Sequence, residues 1–279
     1  GIRDDLVTGV QSCALPIFLQ KDRSWLLAHP NTPLSPKQKR EFEDLIEWRK
    51  HHEPIAYIIG EKEFYGRTFF VDKRVLTPRP STETLIDEVK KLYRTPPHGH
   101  KSTVFPYTGI RESSSLRINP ADTGIVIFSE LKDSPPPQTI IDVGTGSGCI
   151  GTTLALELPA VNIICTDISD DALEVARENA KRHNVLDRVA FHQTNLLETS
   201  NYQLTTSNFL VVSNPPYIPD GEKLPPDVFN FEPYNALFAG SDGMDIITTL
   251  YKQCKKHSKC IGCVLEMRLE QSKKLQEPL

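Results

Sequence analysis

The sequence predicts an α/β protein built on a doubly wound, mostly parallel sheet, preceded by a small helical domain and a connecting β-hairpin. Three stretches carry that prediction. Thr139-Ile140-Ile141-Asp142-Val143 suits a strand buried on both faces, and Gly144-Thr145-Gly146-Ser147-Gly148 follows it at once, ahead of a helix-patterned segment from Cys149 to Leu158. Val161 to Thr166 repeats the strand pattern and ends on Asp167. Phe209-Leu210-Val211-Val212-Ser213 is a third apolar run, and it stops at Asn214-Pro215-Pro216-Tyr217. Strand, glycine loop and helix open a doubly wound domain, which binds its ligand at the carboxyl ends of the strands.

The elements follow in order. Residues 1–17 form a separate segment: Asp5 to Ile17 reads DLVTGVQSCALPI, which resembles the translation of a sequencing-library adapter, and poor packing is expected there. Asp4 and Asp5 at its start, and the lack of a continuous apolar core, argue against a secretion signal. Residues 18–53 form the helical domain. Trp25, Leu26 and Leu27 cluster before a proline-containing break, and Ser35-Pro36 supplies an N-cap and a first-turn proline. Phe42, Leu45, Ile46 and Trp48 continue at helical spacing.

Residues 54–94 read as a hairpin and linker helix. Tyr57 to Gly60 and Glu63 to Val71 form its arms, with glycine turns. Thr77-Pro78-Arg79-Pro80-Ser81-Thr82-Glu83 is a rigid turn into a helix from about Thr82 to Tyr93, which Ser81 or Thr82 can cap. The two prolines hold one cation, Arg79, in place, which suggests a role beside a bound ligand. Residues 95–137 contain seven prolines and one strand-like stretch, Ile125 to Phe128, and read as a long, partly disordered surface insertion. Residues 138–279 hold the α/β domain, and because the chain stops soon after Gln271 a C-terminal truncation is expected.

Composition narrows the function classes. Of 279 residues, 38% are apolar and 24% charged, as in an ordinary globular protein. A net charge of −4 argues against sequence-independent grip on a nucleic-acid backbone, and no apolar run approaches a membrane span. Six cysteines without a regular framework suggest reduced thiols, hence a cytoplasmic protein. Cys254, His257, Cys260 and Cys263 have a zinc-like spacing, but they straddle a helix end and a strand start, and no metal is expected.

The chemistry lies in the two loops. Neither Pro215 nor Pro216 has an N–H, so both offer only carbonyl acceptors; the Asn214 side chain adds another, and Tyr217 a flat face. Two acceptors can take both hydrogens of a planar –NH2 group. The glycine loop is spaced G-x-G-x-G, with Cys149 where a dinucleotide fingerprint has its third glycine. Asp167, 23 residues after Gly144, is placed to meet ribose hydroxyls. Together with Asp142, these features point to a methyltransferase that alkylates an amine-type nitrogen.

The order of motifs resembles the HemK-type glutamine methyltransferases. The carriers are Glu53 to Gly60, Phe64-Tyr65-Gly66, Thr77 to Glu83, the glycine loop, Asn214 to Tyr217, Glu232-Pro233 and Ala236 to Gly243. The resemblance implies a class I, Rossmann-like methyltransferase using S-adenosyl-L-methionine. Its substrate would be the side-chain amide nitrogen of the glutamine in the Gly-Gly-Gln motif of peptide chain release factors. It implies that Asp142, Gly144, Thr145, Gly146, Ser147, Gly148, Asp167, Ile168, Asn195, Leu196 and Asn214 bind the cofactor. Asn214, Pro215, Pro216 and Tyr217 would be catalytic and, with Arg79 and Glu83, substrate-binding. A monomer that needs neither nucleic acid nor membrane is expected. Three positions depart from the family pattern: Ser81 replaces a glutamate, Asn195 an aspartate, and Glu266-Met267-Arg268 a Glu-Ile-Gly. Two alternatives remain open, an adenine exocyclic-amine methyltransferase and an inactive S-adenosylmethionine-binding module.

Overall fold

The computed structural model describes residues 18–19, 21, 23–29, 33, 35–94, 103–106, 123–129, 137–198 and 207–276; the adapter-like segment 1–17 lies outside them. Helix α1 spans Arg23–Ala28 and α2 spans Pro36–Lys50. The start of α2 is a capping box: the Ser35 hydroxyl accepts from the Gln38 N–H, and the Gln38 side chain accepts from the Ser35 N–H. The predicted cap and first-turn proline therefore stand as read.

The next segment differs from expectation. Residues Ile55–Ile59 form a short helix, α3, instead of the first arm of a hairpin. Gly60, at φ 75°, ends it by turning the chain left-handed. The hairpin proper is β1 (Glu61–Phe64) against β2 (Arg67–Phe70), closed by Tyr65 and Gly66, both at positive φ. Pro80–Thr82 then forms a 3₁₀ turn leading into α4 (Glu83–Arg94).

Strands β3 (Thr103–Pro106) and β4 (Thr123–Ser129) come from the stretch read as a surface insertion. They join the main sheet, β4 pairing antiparallel with the last strand from Thr123↔Arg268 to Ser129↔Gly262. The reason is physical: the outer edge of that last strand carries a full row of backbone donors and acceptors, and the strand-like Ile125-Val126-Ile127-Phe128 run satisfies them.

The remaining elements are β5 (Thr139–Val143), α5 (Cys149–Glu157), β6 (Asn162–Asp167), α6 (Asp170–Arg182), β7 (Val189–Gln193), β8 (Phe209–Ser213), α7 (Pro226–Phe229), α8 (Asp245–Lys256), β9 (Cys260–Arg268) and α9 (Leu269–Gln276), with β5, α5, β6 and β8 where the sequence predicts them. The sheet order is β3-β4-β9-β8-β5-β6-β7, with β9, β8, β5, β6 and β7 parallel. Alternate residues of the buried strands feed two cores. Ile140, Leu210 and Val212 pack with Leu85, Ile86 and Val89 of α4 and Leu154 of α5. Ile141, Val211 and Leu265 pack with Ile247 and Leu250 of α8 on the other face. Each such side chain contributes about 1.5–3 kcal/mol by leaving water. The parallel strands all point their carboxyl ends to one rim. Among the described residues no helix is long and apolar enough to cross a membrane.

Candidate active site

Strands β5 and β8 are neighbours in the sheet, so the glycine loop and the Asn-Pro-Pro-Tyr turn leave it side by side. The Ser213 hydroxyl donates to the Val143 carbonyl at 2.6 Å, tying the last residue of β8 to the last residue of β5. Asn214 and Gly144 are the next residues of each chain.

On the glycine-loop side, Gly144, Gly146 and Gly148 all take positive φ, which is why the loop needs glycines. A Cβ on Gly148 would also lie 2.9 Å from the Ala176 Cβ of α6. The Asp142 carboxylate is fully buried and pins the loop from beneath: Oδ2 accepts from the Thr145 hydroxyl at 2.6 Å and from the Gly151 N–H at 2.9 Å. Its Oδ1 is buried with no hydrogen-bond partner. Burial pushes the carboxyl up to about 7, against the pull of those two donors. Asp167 closes the loop from β6, with Oδ2 accepting from the Gly146 N–H at 2.9 Å and Oδ1 from the Ser169 N–H at 3.0 Å. Burial raises this carboxyl too. Ile168 follows it and is 56% exposed. The Thr194 N–H donates to the Asp167 carbonyl at 2.9 Å, bringing the Asn195-Leu196 corner to the same rim. Asn195 is exposed, with Nδ2 3.4 Å from Glu198 Oε2.

Asn179 ties this loop to the hairpin, and no local motif marks it. Its side chain accepts from the Phe70 N–H and donates to the Phe70 and Ser147 carbonyls, all within 2.9 Å. An asparagine on a helix is unremarkable in sequence, and its partners lie 109 and 32 residues away.

On the other side, Leu76, Arg79, Asn214, Pro215, Tyr217 and Leu237 are among the residues lining an open cleft. Arg79 is held by an ion pair with Glu232, whose side chain is 1% exposed. Burial raises the Glu232 carboxyl and the Arg79 cation opposes that rise. Tyr217 is buried, its phenol raised chiefly by that burial. Its backbone carbonyl accepts from Gln271 Nε2 at 2.8 Å. Glu83 does not line the cleft: its carboxylate accepts from the Tyr65 N–H at 2.9 Å and so anchors the hairpin to α4. The hydroxyls of Ser81 and Thr82, read as helix caps, turn inward instead. Ser81 donates to Glu266 at 3.0 Å, and Asn214 Nδ2 donates to Thr82 Oγ1 at 3.0 Å. Arg268, at the family's glycine position, makes a two-pronged pair with Glu222 in the loop beyond the turn. The thiols of Cys254, Cys260 and Cys263 are buried, and His257 stands edge-on to Phe209. Among the described residues no group of three or more potential ligands is arranged to hold a metal.

Residues 119–229 match the model of the methyltransferase small domain, and residues 17–60 that of the PrmC N-terminal domain. The chain is 35% identical to the release factor glutamine methyltransferase of Koribacter versatilis over 253 residues, 90% of this chain and 75% of that protein. It is 38% identical to the protein of the same name from Chlorobaculum tepidum, over 74% of this chain and 60% of that one. It is also 40% identical to the bifunctional methyltransferase of Rickettsia typhi over 90% of its own length. It spans only 44% of that longer protein, and 44–46% of the other Rickettsia bifunctional methyltransferases that it matches. The fold is that of a class I S-adenosylmethionine-dependent methyltransferase, and the chain belongs to the release factor glutamine methyltransferase family.

Proposed function

We propose that this chain methylates the side-chain amide nitrogen of the glutamine in the Gly-Gly-Gln motif of a peptide chain release factor. The observation that carries this reading is the junction of Gly144 and Asn214 at one rim, fixed by the bond from Ser213 to the Val143 carbonyl. A donor over the glycine loop and an amide at the turn are thereby neighbours.

The residues present fit S-adenosylmethionine. A Cβ built on Gly144 or Gly146 would meet open space, leaving room over the loop. Each Asp167 oxygen keeps a lone pair for a ribose hydroxyl after serving its loop N–H. Ile168, and Leu196 on the neighbouring corner, supply apolar surface for an adenine. When bound, the donor supplies an electrophilic methyl group on a sulfonium leaving group.

The protein's own part is alignment. An amide nitrogen is a poor nucleophile, and near-attack positioning contributes ~7–11 kcal/mol in favourable cases. With Nδ2 of Asn214 committed to Thr82, its Oδ1 accepts one N–H of the substrate amide, and the Pro215 carbonyl accepts the other. Tyr217 packs beside the amide plane. The residues lining the cleft include no carboxylate and no imidazole, so the proton leaves to solvent after the methyl group has moved. Arg79, fixed by Glu232, marks the edge of the cleft where the substrate backbone enters. The reading is tested with tritiated S-adenosylmethionine and a release factor carrying either its Gly-Gly-Gln glutamine or alanine there. Label in the glutamine form alone is expected; equal label in both, or label only in added RNA or DNA, overturns it.

A further inference from the structure

Residues 214–217 carry the acceptors of the cleft, yet the sheet does not hold them. The pairing of β8 stops at Ser213, and the chain is next paired at the Ile218–Phe238 bridge. Two of the four residues between are prolines without an N–H. Among the described residues, one backbone group of the four has a hydrogen-bond partner. It is the Tyr217 carbonyl, and the partner is Gln271 Nε2 at 2.8 Å.

Gln271 is engaged at both ends of its amide. Its Oε1 accepts from the Arg268 N–H at 3.0 Å, serving the residue just before α9 as one half of a capping box does. Its Nε2 faces three carbonyls, those of Tyr217 at 2.8 Å, Gly243 at 3.2 Å and Asp242 at 3.3 Å. With one N–H on one side and three acceptors on the other, a single orientation of the amide satisfies them all. The side chain is 4% exposed, so water does not stand in for it. Gly243 makes the arrangement possible: a Cβ there would lie 2.2 Å from the Tyr217 oxygen and 2.8 Å from Gln271 Nε2.

The turn therefore has two anchors. The Ser213 hydroxyl ties its near end to the Val143 carbonyl of β5, and Gln271 ties its far end to α9. The Asn214 amide and the Pro215 carbonyl stand between them. We propose that Gln271 is a positioning residue: it fixes the Tyr217 peptide from 54 residues away and so sets where those two acceptors stand in the cleft. The catalytic consequence rests on the proposed amide methylation; the hold on the turn does not.

The Tyr217 carbonyl reports that hold directly. Tyrosine labelled with ¹³C at the carbonyl, combined with ¹⁵N-isoleucine, marks only the Tyr57–Ile58 and Tyr217–Ile218 peptide bonds. Tyr217→Phe identifies the second by its loss. In Gln271→Met, which keeps the length and removes the donor, this ¹³C signal is expected to move upfield, the sense of a lost hydrogen bond. In the same variant kcat for glutamine methylation is expected to fall about 10-fold or more, with release-factor KM and donor Kd within about threefold. Gln271→Glu keeps the acceptor for Arg268, removes the donor, and repeats both effects should the methionine variant fold poorly. Leu275→Ala loosens the same helix in the core without touching the amide. It is expected to leave the carbonyl signal in place and kcat within about twofold. An unmoved signal or an unchanged kcat in a folded Gln271 variant, or an equal fall of kcat in Leu275→Ala, overturns the proposal. A wild-type chain that leaves the glutamine unmethylated overturns the functional reading instead, and the carbonyl signal still decides whether Gln271 holds the turn.

Discussion

A methyl group placed on Gly243 would sit 2.2 Å from the Tyr217 carbonyl oxygen, and the residue has φ 71°. Gly243→Ala must therefore push the Asn-Pro-Pro-Tyr turn or unwind its own loop. A loss on the order of 2–4 kcal/mol, read by chemical denaturation, is the expected result. Asn214→Ala acts differently, because it removes the amide without disturbing the strand. Methyl transfer is expected to slow about 100-fold, far more than the donor Kd, measured by calorimetry, weakens. Asp142 gives a pH signature. Burial holds its folded-state pKa at about 7, above the ordinary carboxylate value of 3.8, so the stability held by the protonated form is complete below pH 3.8 and lost as pH rises through 7. Asp142→Asn keeps an acceptor for Thr145 and Gly151, and its unfolding free energy is expected to gain on wild type by a few kcal/mol across that window. Parallel denaturation series at several pH values check this. At this scale the glycines, Asp167 and the Asn-Pro-Pro-Tyr turn were legible, because their chemistry is tied to local sequence. Thr82, Glu266 and Asn179 were not, since each acts through partners that only the fold brings near.

Elements whose burial pattern repeats along the chain are legible within a residue or two: β5, α5, β6 and β8 lie where the apolar runs place them. Ile55–Ile59 was misread because a five-residue apolar run has too few turns to reveal its period, and only the left-handed Gly60 marks it as a helix end. The 95–137 stretch misled for a different reason. Its composition suggested a loop, while the open edge of β9 gave its strands something to pair with. Its flanks are tied through a side chain, the Tyr93 hydroxyl donating to the Pro137 carbonyl at 2.6 Å. Joining residue 94 to residue 137 with a turn that spans this gap would uncover the outer edge of β9. Such a deletion is expected to yield a less stable, self-associating protein by light scattering. A monodisperse variant of wild-type stability would show that β9 needs no cover.

Across the whole molecule, one ion pair ties the helical domain to α7. Arg49 of α2 donates to the Glu53 carbonyl at 3.0 Å and lies 3.5 Å from Asp227 of α7, with both side chains little exposed. Arg49→Ala leaves the Asp227 carboxylate without its cation. The expected outcome is faster proteolysis within residues 35–53 than in the α/β domain, detected by mass spectrometry of early fragments. Nothing in the composition announced this joint, because an arginine at a helix end is ordinary until its carboxylate is located.

The place of β3 and β4 in the sheet also sets an order of assembly. They are made before any of the parallel strands, yet β4 pairs with β9, which is made after the other four parallel strands. A ribosome adding 5–20 residues per second makes the ~140 residues between β4 and the end of β9 in roughly 7–28 s. For that interval the early hairpin waits beside a half-built sheet, exposed to pairing with other nascent chains. The sheet is closed only when β9 slides between strands that preceded it, so synthesis speed through 130–268 becomes a determinant of yield.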